Sequence, residues 1–123
     1  MQEQREIMMK KITSLTVIFS IFLVVFSCVV SAQAKDITVG QKNKTFIVDD
    51  KAVEAVKVRI GDTIHFMNND PWFHNIFSLS ETKTFDLGSY PQGESRPVTF
   101  DAKGIFEVEC AIHPNMFLEV TVE

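Results

Sequence analysis

Cysteine is nearly missing from this chain: there are two in 123 residues, Cys28 and Cys110. From Lys35 onward only Cys110 remains, so that region cannot staple itself with an internal disulfide. The same scarcity excludes a two-copper centre, which needs a pair of bridging thiolates. An excess of basic residues is also lacking. Arg5, Lys10, Lys11, Glu3 and Glu6 lie in the first 34 residues, which leaves 9 Lys and Arg against 14 Asp and Glu beyond them, a net charge of −5. Nucleic-acid binding rests on Lys and Arg neutralising phosphates, and this balance argues against it. Glycine (5) and proline (4) are sparse, and no repeat, linker or low-complexity stretch interrupts residues 35–123. No long stretch of that region carries a helical period.

The first 34 residues carry what the rest lacks, a long apolar run. Arg5, Lys10 and Lys11 precede Ile12 to Val30, nineteen residues without a charge, and "SAQA" follows. Ala32-x-Ala34 fits the small-residue rule of signal peptidase and predicts a cut before Lys35. Nineteen helical residues also nearly span a bilayer, so an uncleaved anchor is the alternative. Lipidation at Cys28 ranks third, because bulky Phe26 spoils the lipobox. Each option puts the domain, residues 35–123, outside the cytoplasm: periplasmic, or membrane-anchored on the extracytoplasmic side.

Those 89 residues read as β-structure throughout. "AVKVRI" (55–60) puts Val56, Val58 and Ile60 on one face. "TIHFMN" (63–68) points Ile64 and Phe66 in and His65 out, and His65 is assigned no role. Further strands are expected after His74, near residue 85, and in "RPVTF", "GIFEVEC" and "FLEVTV". Period-two alternation marks half-buried strands. Turn signals separate them, among them Asn68-Asn69-Asp70-Pro71 and Pro91-Gln92-Gly93. The prediction is an all-β, two-sheet Greek-key sandwich of about seven or eight strands, preceded by an N-terminal hydrophobic signal or anchor helix.

Parity aims Cys110 at the core, at the end of the stripe Phe106, Val108, Cys110. His113 is held extended by the following Pro114, and Met116 opens the last strand. His74 precedes an apolar strand after a Pro-containing loop, which is also an end-of-sandwich position. Trp72 and Phe73, beside it, are expected to cap the core. An unpaired thiol in an oxidising compartment is a liability unless buried or bound. Simple burial as a small core residue is one reading. Copper in a trigonal plane of one thiolate and two imidazoles, with a long thioether bond, is another. Zinc suits one thiolate and two imidazoles, but Met is a poor fourth ligand for a structural site. Nucleophilic catalysis by Cys110 lacks an evident oxyanion-type loop.

"NNDPWFHNIFS" followed by "CAIHPNM" resembles the cupredoxins, the small blue-copper proteins. The spacing Cys-x-x-His-x-x-Met is similar to the short ligand loop of the amicyanin-like branch. The resemblance implies one type 1 copper held by His74, Cys110, His113 and, axially, Met116. Asn75 matches the asparagine whose backbone N–H meets the thiolate and whose side chain ties the two ligand loops together. It further implies a monomeric, non-enzymatic electron carrier between redox proteins, such as a dehydrogenase and a c-type cytochrome. A copper-delivery module of the same fold is the alternative. Ala111 departs from the Ser or Thr that commonly pairs with that asparagine. Glu109 departs from an aromatic residue that offers relatives a side route for electrons.

Overall fold

In the computed structural model the described residues are 1–26 and 32–123, with side chains of the N-terminal helix described through residue 14. The chain divides into two compact units, Met1–Gln33 and Ala34–Glu123. The first contains α1 (Gln2–Phe26). Its described side chains are exposed, and Thr13 donates its hydroxyl to the Met9 and Lys10 carbonyls. Among the described residues no helix is long and apolar enough to cross a membrane. Cys28 and most of the apolar run Ile12 to Val30 lie outside the residues so described.

The second unit contains ten strands: β1 (Asp36–Lys42), β2 (Thr45–Val48), β3 (Lys51–Ala52), β4 (Ala55–Val58), β5 (Thr63–Asn68), β6 (His74–Ser78), β7 (Phe85–Tyr90), β8 (Ser95–Thr99), β9 (Gly104–Cys110) and β10 (Phe117–Val122). They form two five-stranded sheets, ordered β3-β2-β1-β5-β8 and β4-β10-β9-β6-β7. Both are mixed, because β1 runs parallel to β5 and β4 parallel to β10. Ten strands exceed the seven or eight expected, the extra ones lying at the N-terminal side. In β1 three successive residues, Val39, Gly40 and Gln41, are all buried, which erases the alternation that would have marked it.

Sequence explains the details. Asn43-Lys44 and Asp49-Asp50 all have positive φ, between 50° and 60°, and make two-residue turns on either side of β2. Such turns match the twist of paired strands and favour Asn and Asp. Pro97 has no N–H to give a ladder and sits in β8, an edge strand. Strand β4 ends at Val58, because Asp62 turns the chain back. Its carboxylate accepts the Arg59 N–H (2.8 Å), and its own N–H donates to the Arg59 carbonyl. Ile60, expected inside, is therefore 48% exposed.

Both sheets feed one core. Val39, Phe46, Ile64 and Phe66 come from one, and Ile76, Phe106, Val108, Leu118 and Val120 from the other. Phe66 meets Phe85 across the layers at 6.4 Å, and Phe100 packs edge-on against Phe106 at 5.1 Å. Burying one such side chain contributes roughly 1.5–3 kcal/mol.

Candidate metal centre

Strands β6 and β9 are antiparallel neighbours, with Ile76 opposite Cys110. His74 stands two residues before Ile76 and so shares its inward face. The ladder thereby sets His74 diagonally across from Cys110, and both are buried. Beyond Cys110 the chain leaves β9, continued by an Ala111 N–H to Asn75 carbonyl bond of 2.9 Å. Pro114 and Asn115 then form a turn closed by the Met116 N–H on the His113 carbonyl at 3.0 Å. Proline pre-sets the backbone at the second position of such a turn. The turn folds His113 back over the thiol.

Three donor atoms converge. Cys110 Sγ lies 3.6 Å from His74 Nδ1 and 3.6 Å from His113 Nδ1, and the two nitrogens are 3.2 Å apart. The point equidistant from all three is about 2.0 Å from each, a bond length suited to a metal on imidazole nitrogen and a little short for thiolate. The donor triangle thus fits a metal ion, and its chemistry, one soft sulfur and two imidazoles, suits copper or zinc. Met116 is fully buried next to the turn. The Asn75 N–H points at the thiol sulfur, 3.5 Å away.

One participant was not legible in the sequence. Asp70 is buried and its Oδ2 lies 2.9 Å from His74 Nε2, on the far side of the ring from the cluster. A carboxylate there fixes the tautomer that leaves Nδ1 free to coordinate. The same carboxylate accepts the backbone N–H groups of Asn43 and Lys44, the positive-φ turn between β1 and β2. Asp70 sits in an Asn-Asn-Asp-Pro string, which reads as a loop, and only folding reveals what it holds.

These contacts shift the titrations. Burial pushes the Cys110 thiol up, but His74, the N–H groups of Asn75 and Ile112, and His113 outweigh it and bring the pKa down to about 6. Burial lowers the His74 pKa, yet the thiolate and Asp70 more than reverse this and raise it. Burial raises Asp70, whereas Lys44, His74 and Asn43 hold it below the usual carboxylate value. The metal-free cluster therefore favours the thiolate near neutral pH and makes His74 easier to protonate than an ordinary imidazole, the attraction of opposite charges offsetting desolvation.

Other sequence readings fare differently. Trp72 and Phe73 do not cap the core; they are 46% and 55% exposed. The Lys44 ammonium lies 4.9 Å from the Trp72 ring centre, a cation–π contact. His65 pairs with Asp36 at 3.5 Å on the outer face, away from the cluster. The Asn75 Oδ1 is buried without a hydrogen-bond partner among the described residues. The hydroxyl that would reach it in a Ser or Thr is missing at Ala111.

No family model and no curated protein matches the sequence. Solved structures do resemble the fold. A Cu(I) amicyanin mutant superposes at a TM-score of 0.63 with 20% identity, over 72% of this chain and 82% of that one. A reduced amicyanin mutant gives 0.63 and 21%, over 77% and 87%. A copper-containing nitrite reductase from Thermus scotoductus SA-01 also gives 0.63 and 21%, over 72% of this chain but 22% of that enzyme. In the path of its backbone through two facing sheets, this chain has the cupredoxin fold.

Proposed function

We propose that the domain, residues 35–123, is an exported one-electron carrier with a single type 1 copper. His74, Cys110 and His113 form its equatorial plane and Met116 the axial ligand. The observation that carries this reading is the triangle of one Sγ and two Nδ1 atoms, 3.2–3.6 Å on a side. Copper in such a site cycles between Cu(I) and Cu(II) with little change of geometry. The chain supplies the rest. Cys110 is already a thiolate near neutral pH. Asp70 locks the His74 ring, and the Asn75 N–H partly neutralises the sulfur. His113 is half-buried beside exposed Ile112, Pro114 and Asn115, so its ring is the route for electrons to the surface. Glu109 leaves no aromatic alternative.

Four donors from the chain leave no open position for a substrate, which favours a carrier over an enzyme. Its partners are redox proteins, such as a c-type cytochrome or a dehydrogenase. Residues 1–34 act as a signal peptide, or as an anchor on the extracytoplasmic side. The visible and EPR spectra of copper-loaded, oxidised protein test the reading. An intense thiolate-to-copper band with a type 1 EPR signature is expected, and a colourless sample overturns it. The unpartnered Asn75 Oδ1 supports a second reading, a delivery module with a looser site. Rapid copper release with slow electron self-exchange would select it.

A further inference from the structure

At the end of β5 remote from the donor cluster lies a second buried carboxylate. Asp62 is 2% exposed and takes no part in the metal centre. Its Oδ2 accepts the Arg59 N–H at 2.8 Å, and its Oδ1 accepts the backbone N–H of Lys35, also at 2.8 Å. Lys35 is held from its other side as well: its carbonyl accepts the Thr63 N–H at 2.9 Å, just ahead of the ladder that starts with Asp36 opposite Thr63. Lys35 is also the residue after Ala32-x-Ala34. Those three residues are exposed and belong to no helix or strand, as a protease substrate requires.

We propose that Asp62 is the docking group for a new N-terminus, the α-ammonium of Lys35 created when the leader is cut after Ala34. This rests on the export reading of residues 1–34. Water adds across the Ala34–Lys35 peptide bond, catalysed by a leader-cleaving peptidase. Ala34 keeps a carboxylate, Lys35 gains an amine that takes up a proton, and no oxidation state changes. The nitrogen that donates to Asp62 as an amide then carries a full charge at the same contact, turning a neutral donor into a charge-assisted one. Cutting thus converts the start of β1 from a passing segment into an anchored end. The groups facing this contact are Lys35, Lys57, Arg59 and Glu123, with Arg59 Nε 3.9 Å from Asp62. The cations among them oppose the ammonium, so the pairing depends on direct contact with Asp62.

The test uses the full 123-residue chain expressed in an exporting bacterium and purified after processing. Intact mass defines the N-terminus, and acylation of the Lys35 α-amine by an activated ester, followed by peptide mass spectrometry, measures its reactivity. The expected result is a chain starting at Lys35 whose α-amine reacts about tenfold more slowly near pH 6.5, below both pKa values, than in Asp62→Asn, the effect of a one-unit rise in its pKa. In wild-type protein alone, the reactivity midpoint should lie above the ordinary α-amine range of roughly 7.7–8.0, which keeps the test valid if the variant does not fold. A different N-terminus overturns the cut and the docking together. A Lys35 start with ordinary reactivity overturns the docking alone. The copper spectrum, read on the same samples, reports separately on the metal reading.

Discussion

The two ends of β5 carry the same device turned to different uses. Asp62 precedes the strand and Asp70 follows it, and each is a buried aspartate accepting two backbone N–H groups. Both are held below the ordinary carboxylate pKa. At Asp62 the N–H groups of Arg59 and Lys35 cause this against the cost of burial. At Asp70 burial is the largest single influence, and Lys44, His74 and Asn43 together overcome it. The difference is the third partner. Apart from the Arg59 guanidinium at 3.9 Å, Asp62 grips only backbone, so it fixes where strands start and stop. Asp70 also grips an imidazole, so what it fixes is one ring of the donor triangle. A small β-sandwich can stabilise a functional centre with the same parts it uses to stabilise a turn.

The comparison breaks most completely at the thiol. Cys110→Ala removes the only sulfur of the donor triangle, and the visible band and type 1 EPR signature of the copper-loaded protein should vanish while the fold persists. Asp70→Asn should lower copper affinity by about 10–100-fold, the usual cost of losing a carboxylate behind a ligating imidazole. It should also cost roughly 1–3 kcal/mol in denaturant unfolding, by weakening hydrogen bonds to buried groups. Asp62→Asn should leave affinity and spectrum unchanged; a spectral change there would abolish the division of labour between the two ends.

The pH dependence of metal-free protein sharpens the contrast. Cys110 ionises at about 6 in the folded state, below the 9.0 of an unperturbed thiol. A depressed acid contributes stability that is complete above the unfolded pKa and is lost as pH falls through the folded one. Thiolate absorbance should therefore disappear with a midpoint of about 6, and stability should decline from about pH 9 towards 6. His74, whose pKa is raised, works in the opposite sense: its share is present below its unfolded value and lost as pH rises through the folded one. In His74→Ala the thiol midpoint should move back towards the ordinary value. The two aspartates act lower down, their share being lost only in acid below their ordinary carboxylate pKa. The smallest effect is expected for Ala111→Ser, which offers Asn75 Oδ1 a donor and should add about 0.5–1.5 kcal/mol to thermal stability.

Legibility in the sequence followed periodicity. Strands β5, β9 and β10 alternate cleanly, so their inward residues, Cys110 included, could be read directly. The region of β1 to β3 could not, because Val39, Gly40 and Gln41 are buried in succession and β3 is two residues long. The donor residues carry their chemistry in their names and in the spacing of "CAIHPNM". Asp70 does not, since its role is defined by partners 26 and 27 residues away, brought to it by a turn. Trp72 and Phe73 misled for a related reason. Aromatic character predicts burial on average, but here the short loop after Asp70 turns both outward, and Lys44 covers part of Trp72.

The Asn43-Lys44 turn contributes none of the three donor atoms, yet both its N–H groups end on the carboxylate that steadies His74. The stiffness of the centre is in this sense borrowed. A β-branched residue in that turn resists positive φ, so its first consequence would be a wider spread of ring orientations at His74, visible as broadened EPR lines. In the proposed copper site, two residues of a surface hairpin would act as a tuning screw for its potential, and a library confined to positions 43 and 44 would vary that potential without altering His74, Cys110, His113 or Met116.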